Sequence, residues 1–391
     1  MAGNRGGKGR TEMRLLFTTW AWPSHLYALV TQAWACRAAG HEVLVASQPA
    51  LAAEIGRCGL PAAVVGHDVD AVAMVRRYVI GAPRRDAGGG GGPRAAEMFL
   101  AHAESMTGSL VELAAGFRPD VVVYEPTALA GPLAAAVQGV PAVRHLYGTD
   151  LLARAAHVLP GLLAPLAERY GLDAVDPFGA LTLDPTPPSL RPAAAPPALP
   201  VRYVPCNGGG RPVTLPKPAG PRVCVTWGHT MAKLSARRFL LPDVVRALHP
   251  LGVELVAAVS AAQAPLLGRL PEGVRVVVDA PLHGLLDACD LVVAHGGAGT
   301  VLTALHHGVP LLLVPQLPDH AGHAGAVAGV GAGRLLPAAD ATPERLREEC
   351  RRLLADGAMT ACARRLQEEM HHQPPPSARV GDLLSAARRP A

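Results

Sequence analysis

The sequence predicts an α/β protein of two domains, each built around a parallel β-sheet. The 391 residues exceed what one hydrophobic core usually serves. Half of the residues are hydrophobic and only 4% are aromatic, so the cores are expected to consist of Ala, Val and Leu. This composition favours helices packed on buried parallel strands over a β-sandwich. The third observation is a strand–helix–strand order that occurs in both halves of the chain.

In the N-terminal half this order occurs twice. A buried strand is predicted over Met13–Thr19, a helix from about His25 to Ala39, and a strand over Glu42–Ala46. Gly40 ends the helix, since glycine readily takes the left-handed conformation that follows helices. The order recurs in the strand Asp120–Tyr124, the helix Leu129–Gln138 and the strand Pro141–His145.

The C-terminal half repeats the pattern after Asp184–Pro221, a stretch rich in proline and glycine that is the clearest domain boundary. Strands are predicted over Arg222–Thr226, Val253–Val259, Val274–Asp279, Asp290–Ala294 and Val309–Val314. Helices are predicted over Leu282–Ala288, Thr300–His307, Pro343–His371 and Ser377–Ala387, with Pro374–Pro376 breaking the chain between the last two.

Composition also indicates where the domains end and where an irregular segment interrupts them. Five consecutive glycines within Asp86–Pro93 predict a mobile surface loop. The predicted parts are a disordered tail (1–12), an N-terminal domain (13–205), a linker (206–221), a C-terminal domain (222–373) and a final segment (374–391). The tail has no apolar core, so we do not expect a secretory signal in it, and no apolar stretch in this sequence is long enough to predict a membrane span.

Charge and cysteine usage exclude several classes of protein. The net charge of +5 comes without a clustered basic face, so nucleic-acid binding is not expected. The seven cysteines are far apart and form no C-x-x-C pair, which argues against a disulfide framework and a zinc ribbon. A reducing, cytoplasmic location fits this pattern.

The most informative segment is Asp290–Pro315, where an apolar strand leads into the glycine-rich turn His295–Thr300 and then a helix. Glycines let the backbone approach a ligand, and a helix N-terminus offers free N–H groups that suit phosphate. His295 and Thr300 add side-chain donors. The alternative is a turn that only packs strand against helix. The turn matches neither G-x-G-x-x-G nor a P-loop, which argues against a dinucleotide dehydrogenase and a P-loop NTPase.

The longer run PLHGLLDACDLVVAHGGAGTVLTALHHGVPLLLVPQLPDHAGHA resembles the donor-binding signature of family 1 glycosyltransferases. It is most similar to their actinobacterial natural-product branch, which glycosylates macrolides, enediynes and aromatic polyketides. The segments TTWAWPSHLYALV and PDVVVYEPTALAGPLAAA extend the resemblance. The resemblance implies the GT-B fold, in which two Rossmann-like doubly wound domains face each other across a cleft and the final segment packs back on the N-terminal domain.

The resemblance also implies which residues bind the nucleotide sugar. The diphosphate would be held by His295, Gly296, Gly297, Gly299 and Thr300, with Trp227, Gly228 and His229 beneath it and Pro281 and Leu282 around the base. Asp319 would read the sugar hydroxyls. His320 stands where relatives often carry glutamine, which leaves the identity of the sugar open.

His25 is the candidate general base. It lies where a parallel strand meets a helix, an edge at which such folds bind ligands, and imidazole has a suitable pKa for deprotonating an acceptor hydroxyl. The family's base is a histidine at this point. Glu125, just after a strand, would orient it, although many relatives carry aspartate there. The alternatives are a polar residue at a helix start and a solvated acid at a strand end.

The acceptor side is less well specified. Trp20, Trp22 and Tyr147 are candidate apolar walls within an N-terminal domain whose loops Asp68–Gly92 and Arg144–Leu152 would shape the site. These aromatics could equally be ordinary core residues. The histidine-rich fragments His306–His307, Asp319–His323 and His371–His372 lack zinc spacing, so no metal is expected, and the family's catalysis is metal-independent.

The resemblance and these residues together imply an inverting transferase that moves a sugar or deoxysugar from a nucleotide sugar, dTDP-linked rather than UDP-linked, to a hydroxyl of a hydrophobic, polyketide-like small molecule. No cofactor is expected beyond the nucleotide sugar as co-substrate. A homodimer and an auxiliary activator protein both stay open as partners. The alternatives are a nucleotide-sugar epimerase on a similar scaffold and a non-catalytic, glycosyltransferase-like auxiliary protein.

Overall fold

The computed structural model describes residues 12–80, 92–192, 195–211 and 213–388. Residues 1–11 of the predicted tail and residues 86–91 of the predicted glycine-rich loop lie outside them. Gly92 and Pro93 begin a helix, so the prediction of an irregular stretch was wrong at those two positions. Among the described residues, no helix combines the length and the apolar character that crossing a membrane requires.

The first half of the chain forms a parallel sheet with the strand order β3-β2-β1-β4-β5-β6-β7. Its strands are β1 (Arg14–Thr18), β2 (Glu42–Ser47), β3 (Ala62–Val64), β4 (Val121–Tyr124), β5 (Ala142–His145), β6 (Leu181–Asp184) and β7 (Leu199–Pro200). Its helices are α1 (Pro23–Ala38), α2 (Ala52–Arg57), α3 (Ala71–Ile80), α4 (Gly92–Phe117), α5 (Ala130–Gln138) and α6 (Leu159–Glu168).

The second half forms another parallel sheet, with the order β10-β9-β8-β11-β12-β13. Its strands are β8 (Arg222–Thr226), β9 (Glu254–Val259), β10 (Arg275–Val278), β11 (Leu291–Ala294), β12 (Leu311–Leu313) and β13 (Gly333–Leu335). The helices that follow β8 are α7 (Thr230–Leu234), α8 (Leu241–Leu248), α9 (His283–Leu286), α10 (Ala298–His306), α11 (Pro318–Gly329), α12 (Pro343–Ala355), α13 (Gly357–His372) and α14 (Pro376–Ala387).

The two sheets confirm the predicted α/β fold class, and their strand orders position the site. In each sheet the chain first builds strands to one side of the starting strand and then crosses to the other side. The reversal leaves a crevice beyond the carboxyl ends of β1 and β4, and another beyond those of β8 and β11. Such crevices are where open parallel sheets bind ligands.

Three details differ from the sequence-based expectations or extend them. The predicted helix Pro343–His371 is two helices, because the Asp356 side chain accepts hydrogen bonds from the backbone N–H of Ala358 and Met359 and so starts α13. The predicted loop Asp68–Gly92 contains helix α3. The chain finally returns to the first half, where Val380 and Leu383 of α14 are buried in its core.

Candidate functional site

A cleft of about 670 Å³ lies between the two sheets, a size that suits small-molecule ligands. Both halves of the chain line it. The first half contributes Trp20, Trp22, His25, Thr127 and Tyr147, and the second contributes Gly228, Leu282, His295, Gly297, Gly299, Thr300, Asp319 and His320. Most of the site residues predicted from the sequence therefore meet at one cavity.

The imidazole of His25, which lines the cleft, lies against the carboxylate of Glu125, with 3.2 Å between His25 Nδ1 and Glu125 Oε2. His25 lies in the first turn of α1, behind Pro23, and the side chain keeps 15% of its surface exposed. Glu125 follows β4 and is fully buried. Because β1 and β4 are parallel neighbours, the residues that follow them emerge at the same sheet edge.

Thr127 links this pair to Trp20. The indole N–H of Trp20 donates to Thr127 Oγ1 at 2.7 Å, and an indole can only donate. The Thr127 hydroxyl keeps its own proton for another acceptor, and this proton goes to the Glu125 carboxylate at 2.7 Å, which is closer than His25 Nδ1 at 3.3 Å. The Thr127 backbone N–H donates to the same carboxylate oxygen at 2.8 Å. Both oxygens near Nδ1 of His25, on Glu125 and Thr127, then act as acceptors, which favours the neutral tautomer with the proton on Nδ1 and a free lone pair on Nε2.

Aromatic rings surround the imidazole of His25. The ring of Tyr147 lies 4.4 Å from it and that of Trp20 lies 5.0 Å away, edge-on. Trp20 is almost completely buried, whereas Trp22 and Tyr147 present more surface. Sequence reasoning missed other apolar cleft residues, which belong to α3 and α4: Ala71, Met74, Val75, Ala95, Met98 and Phe99. Their helices showed no local motif that would assign them to a binding site.

The loop after β5 joins the two halves of the cleft. Its base is held by the buried ion pair between Arg144 and Asp150, 2.6 Å apart. At its tip, Gly148 packs so closely on α10 that an added Cβ would lie 2.7 Å from the Cβ of Ala298. Tyr147, which contacts His25, is the preceding residue. The loop therefore connects the surroundings of His25 to the start of α10.

The glycine-rich turn predicted to bind phosphate connects β11 to α10. Gly296 has a φ of +97°, which favours glycine, and an added Cβ at Gly228 or Gly297 would lie 2.5 or 2.6 Å from the His295 ring. The glycines thus make room for this imidazole between two turns. The N-terminus of α10 faces the cleft, where Thr300 lines the wall.

Three predicted donor residues do not line the cavity. Trp227 is fully buried, and its indole N–H donates to Gln316 Oε1 at 2.8 Å. Gly296 lies behind the turn, where its carbonyl contacts His323. Pro281 packs near Gly210 of the linker, whose added Cβ would lie 2.8 Å from it.

Sequence reasoning gave no role to Asn207, yet this linker residue lines the cleft. Its Oδ1 accepts from the backbone N–H of His283 at 3.0 Å, and its Nδ2 donates to Thr303 Oγ1 at 3.0 Å. The linker is thereby attached to α9 and α10. No sequence motif marks this residue, because its partners lie far along the chain.

Burial lowers the pKa of several cleft imidazoles. The pKa of His295 lies well below its usual value because of burial and because His320, His229 and His323 are close. The carboxyl of Asp319 is half-exposed, and the neighbouring His320 and His323 lower its pKa. In the part of the chain that the structure describes, no group of three or more His, Cys, Asp or Glu side chains is arranged to hold a metal ion.

Comparisons with known proteins agree with this architecture. Residues 34–228 match the family model "Erythromycin biosynthesis protein CIII-like, N-terminal domain", and residues 242–385 match the model of its C-terminal domain. The chain is 38% identical to 10-deoxymethynolide desosaminyltransferase of Streptomyces venezuelae over 97% of this chain and 99% of that protein. It is 34% identical to 3-alpha-mycarosylerythronolide B desosaminyl transferase of Saccharopolyspora erythraea over 96% and 99% of the two chains.

Solved structures show the same similarity. Spinosyn rhamnosyltransferase SpnG, solved with thymidine diphosphate and with spinosyn aglycone, is 32% identical with a TM-score of 0.84, covering 95% of this chain and 100% of that one. Glycosyltransferase VinC in complex with dTDP is 35% identical with a TM-score of 0.79, covering 96% and 100%.

Proposed function

This chain belongs to the erythromycin biosynthesis protein CIII-like family, in the actinobacterial natural-product branch of family 1 GT-B glycosyltransferases, and we propose that it is an inverting dTDP-deoxysugar transferase. Its acceptor is a hydroxyl of a polyketide-like aglycone. The relatives named for desosaminyl transfer and the structures of relatives with thymidine diphosphate and with spinosyn aglycone support this choice of substrates.

The observation that carries the proposal is the His25–Glu125 pair at one side of the cleft, with the start of α10 lining the other. His25 Nε2 takes the proton of the acceptor hydroxyl, and the oxygen attacks the anomeric carbon of the sugar. The bond from that carbon to the diphosphate breaks, and its electron pair leaves with dTDP. Attack from the side opposite the leaving group inverts the anomeric centre.

The leaving diphosphate needs stabilisation as its charge develops. We assign this task to the free backbone N–H groups at the start of α10, the hydroxyl of Thr300 and the imidazole of His295. Such donors stabilise the negative charge of a leaving diphosphate, as a metal ion does in other enzymes, so the proposed reaction is metal-independent. Leu282 and the linker would contact the base, and Asp319 the sugar.

The acceptor is assigned to the apolar part of the cleft. Trp22 and Tyr147 line the cleft, as do side chains of α3 and α4, among them Met74, Met98 and Phe99. An apolar surface of this extent favours a hydrophobic acceptor. It also weighs against an epimerase, which would act on the nucleotide sugar alone.

The decisive experiment is a mass-spectrometric screen of dTDP- and UDP-sugars against polyketide aglycones, with the wild type, His25→Ala and the exposed His249→Ala as control. We expect a product with the mass of one added sugar, formed roughly 10³-fold more slowly by His25→Ala at unchanged dTDP affinity. His249→Ala should match the wild type.

Other outcomes would redirect the assignment. Conversion of the sugar nucleotide without an acceptor would indicate an epimerase. Nucleotide binding without transfer to any aglycone would favour an auxiliary protein or the need for an activating partner. Full activity in His25→Ala would remove this residue from the mechanism.

A further inference from the structure

Three histidines form a buried cluster beside the start of α10. His295 follows β11, and His320 and His323 lie on the first turns of α11. Each has at most 4% of its surface exposed, and the rings of His295 and His320 are 4.6 Å apart, edge to face. All three line the cleft. So many imidazoles at one cavity wall require a physical explanation, because unpaired polar groups are costly to bury.

The hydrogen bonds of the cluster are incomplete. Nδ1 of His323 lies 3.1 Å from the Gly296 carbonyl, which can only accept, so Nδ1 carries a proton and Nε2 does not. Within the described part of the chain, no group bonds Nε2 of His323 or Nδ1 of either His295 or His320. Buried polar atoms without partners are uncommon in folded proteins and point to a ligand that completes them.

The surroundings of the cluster hold few fixed charges. Among the described residues, the groups facing it are Asp319 on α11, His229 after β8 and Tyr147 from the first half of the chain. Farther out lie Lys233, Asp279, Glu125, Asp150 and Glu54. In the described part of the chain, the negative charge next to the cluster is that of Asp319, with its Oδ2 3.8 Å from Nε2 of His320. Burial outweighs this carboxylate and lowers the pKa of both His320 and His323. At neutral pH these two imidazoles are therefore uncharged before a ligand binds.

A bound nucleoside diphosphate favours the charged form of these imidazoles, since it carries about two to three negative charges. The Lys and Arg side chains among the described cleft residues are Arg57 and Lys233. Arg57 is paired with Glu54, and Lys233 Nζ lies 4.8 Å above the Trp22 ring. Neither side chain belongs to the glycine-rich turn His295–Thr300. The groups able to gain positive charge near α10 are the imidazoles.

We propose that the nucleoside diphosphate binds together with a proton, which the His320–His323 pair takes up. The proton goes to an unpaired ring nitrogen, Nδ1 of His320 or Nε2 of His323, and the resulting imidazolium donates to a phosphate oxygen while Asp319 stabilises its charge. The inference rests on the proposed nucleotide-sugar site and adds a proton to its binding equilibrium.

The sign of the pH dependence follows from this linkage. The pair has a lowered pKa before the ligand binds and a higher pKa beside the phosphates. Affinity is therefore highest at low pH and falls as pH rises through the pKa of the bound state, at most about tenfold per pH unit for one proton. The effect is best measured above pH 7, where the terminal phosphate of dTDP is itself ionised.

Isothermal titration calorimetry in PIPES and in Tris at pH 7 counts the protons directly, because the two buffers differ in ionisation enthalpy. We expect uptake of about half to one proton with dTDP and close to none with thymidine, which lacks phosphate. His320→Gln/His323→Gln should abolish the uptake and flatten the pH dependence of the dissociation constant. His306→Gln is the matched control, since burial lowers the pKa of this histidine to about 4 as well and it is not among the described cleft-lining residues.

Each outcome has a definite meaning. Equal proton uptake in the double variant, or dTDP binding by the wild type without uptake, overturns the inference but leaves the transferase assignment intact. The single variants His320→Gln and His323→Gln, checked for folding by circular dichroism, replace the double variant if it does not fold. Failure of the wild type to bind dTDP or UDP at all would contradict both the inference and the proposed function.

Discussion

The two polar regions of the cleft differ in how their hydrogen bonds are completed. Around Glu125, the contacts of His25, Thr127 and Trp20 form one chain of bonds that runs from indole to carboxylate. Around His295, ring nitrogens are buried without a bonding partner among the described residues. Complete pairing fixes one protonation state in advance, whereas incomplete pairing leaves that state to be set by a ligand.

This difference matches the two tasks proposed for the cleft. A general base must present one free lone pair before the acceptor arrives, so its tautomer has to be determined by the protein alone. A diphosphate site must accept charge when the donor binds and lose it when the nucleotide leaves. His102, which stacks on Trp20, also has a buried ring nitrogen without a partner among the described residues, but it does not line the cleft, and burial lowers its pKa to about 4.

The largest expected effect comes from replacing Glu125, the residue that accepts the hydrogen bonds of the first region. In Glu125→Gln the side-chain amide can donate a hydrogen bond to His25 as well as accept one. The protein then no longer favours the His25 tautomer that has a free lone pair on Nε2. We expect kcat to fall about 10²- to 10³-fold while the dissociation constant of dTDP changes less than about twofold. Steady-state kinetics and calorimetry measure both. A kcat near that of the wild type would show that Glu125 does not orient the base.

A smaller effect is expected at Thr127, and it tests whether this residue helps Glu125 to orient the imidazole of His25. Thr127→Val leaves the buried indole N–H of Trp20 without its acceptor and removes a donor to Glu125. We expect a loss of about 1–3 kcal/mol in the free energy of unfolding and a roughly tenfold lower kcat. Thr127→Ser keeps the hydroxyl and should restore most of both. A stability loss with unchanged kcat, measured by urea unfolding and kinetics, would make the residue purely structural.

The smallest effect concerns the loop that joins the two regions. Gly148→Ala places a methyl group 2.7 Å from the Cβ of Ala298, so the loop and α10 must move apart. We expect the KM for the nucleotide sugar to rise roughly threefold to tenfold. The control is the same change combined with Ala298→Gly, which removes the opposing methyl group. Failure of the double variant to recover would show that the contact does not act through this clash.

Much of the fold could be predicted from runs of hydrophobic residues and from the residues that end those runs. Arg222–Thr226 is a strand with the bounds that its apolar run predicts, and Gly40 follows the end of α1 with a φ of +85°. The missed elements lack such signals. Leu199–Pro200 forms a two-residue strand only because β6 lies beside it, and α3 falls within a segment whose composition indicated a loop. Asp356 separates α12 from α13 through a capping bond within an otherwise helical pattern.

The sequence by itself determined the alternation of strands and helices, the glycine-rich turn before α10 and the chemical identities of His25, Glu125 and the histidines. These depend on neighbours within a few positions, where local periodicity and turn chemistry act. The tertiary structure alone decided which nitrogen of His25 faces Glu125, that Thr127 stands between Glu125 and Trp20, and that three imidazoles remain without full pairing. Such contacts join residues about a hundred positions apart, such as His25 and Thr127, and arise only when parallel strands bring their carboxyl ends to one edge.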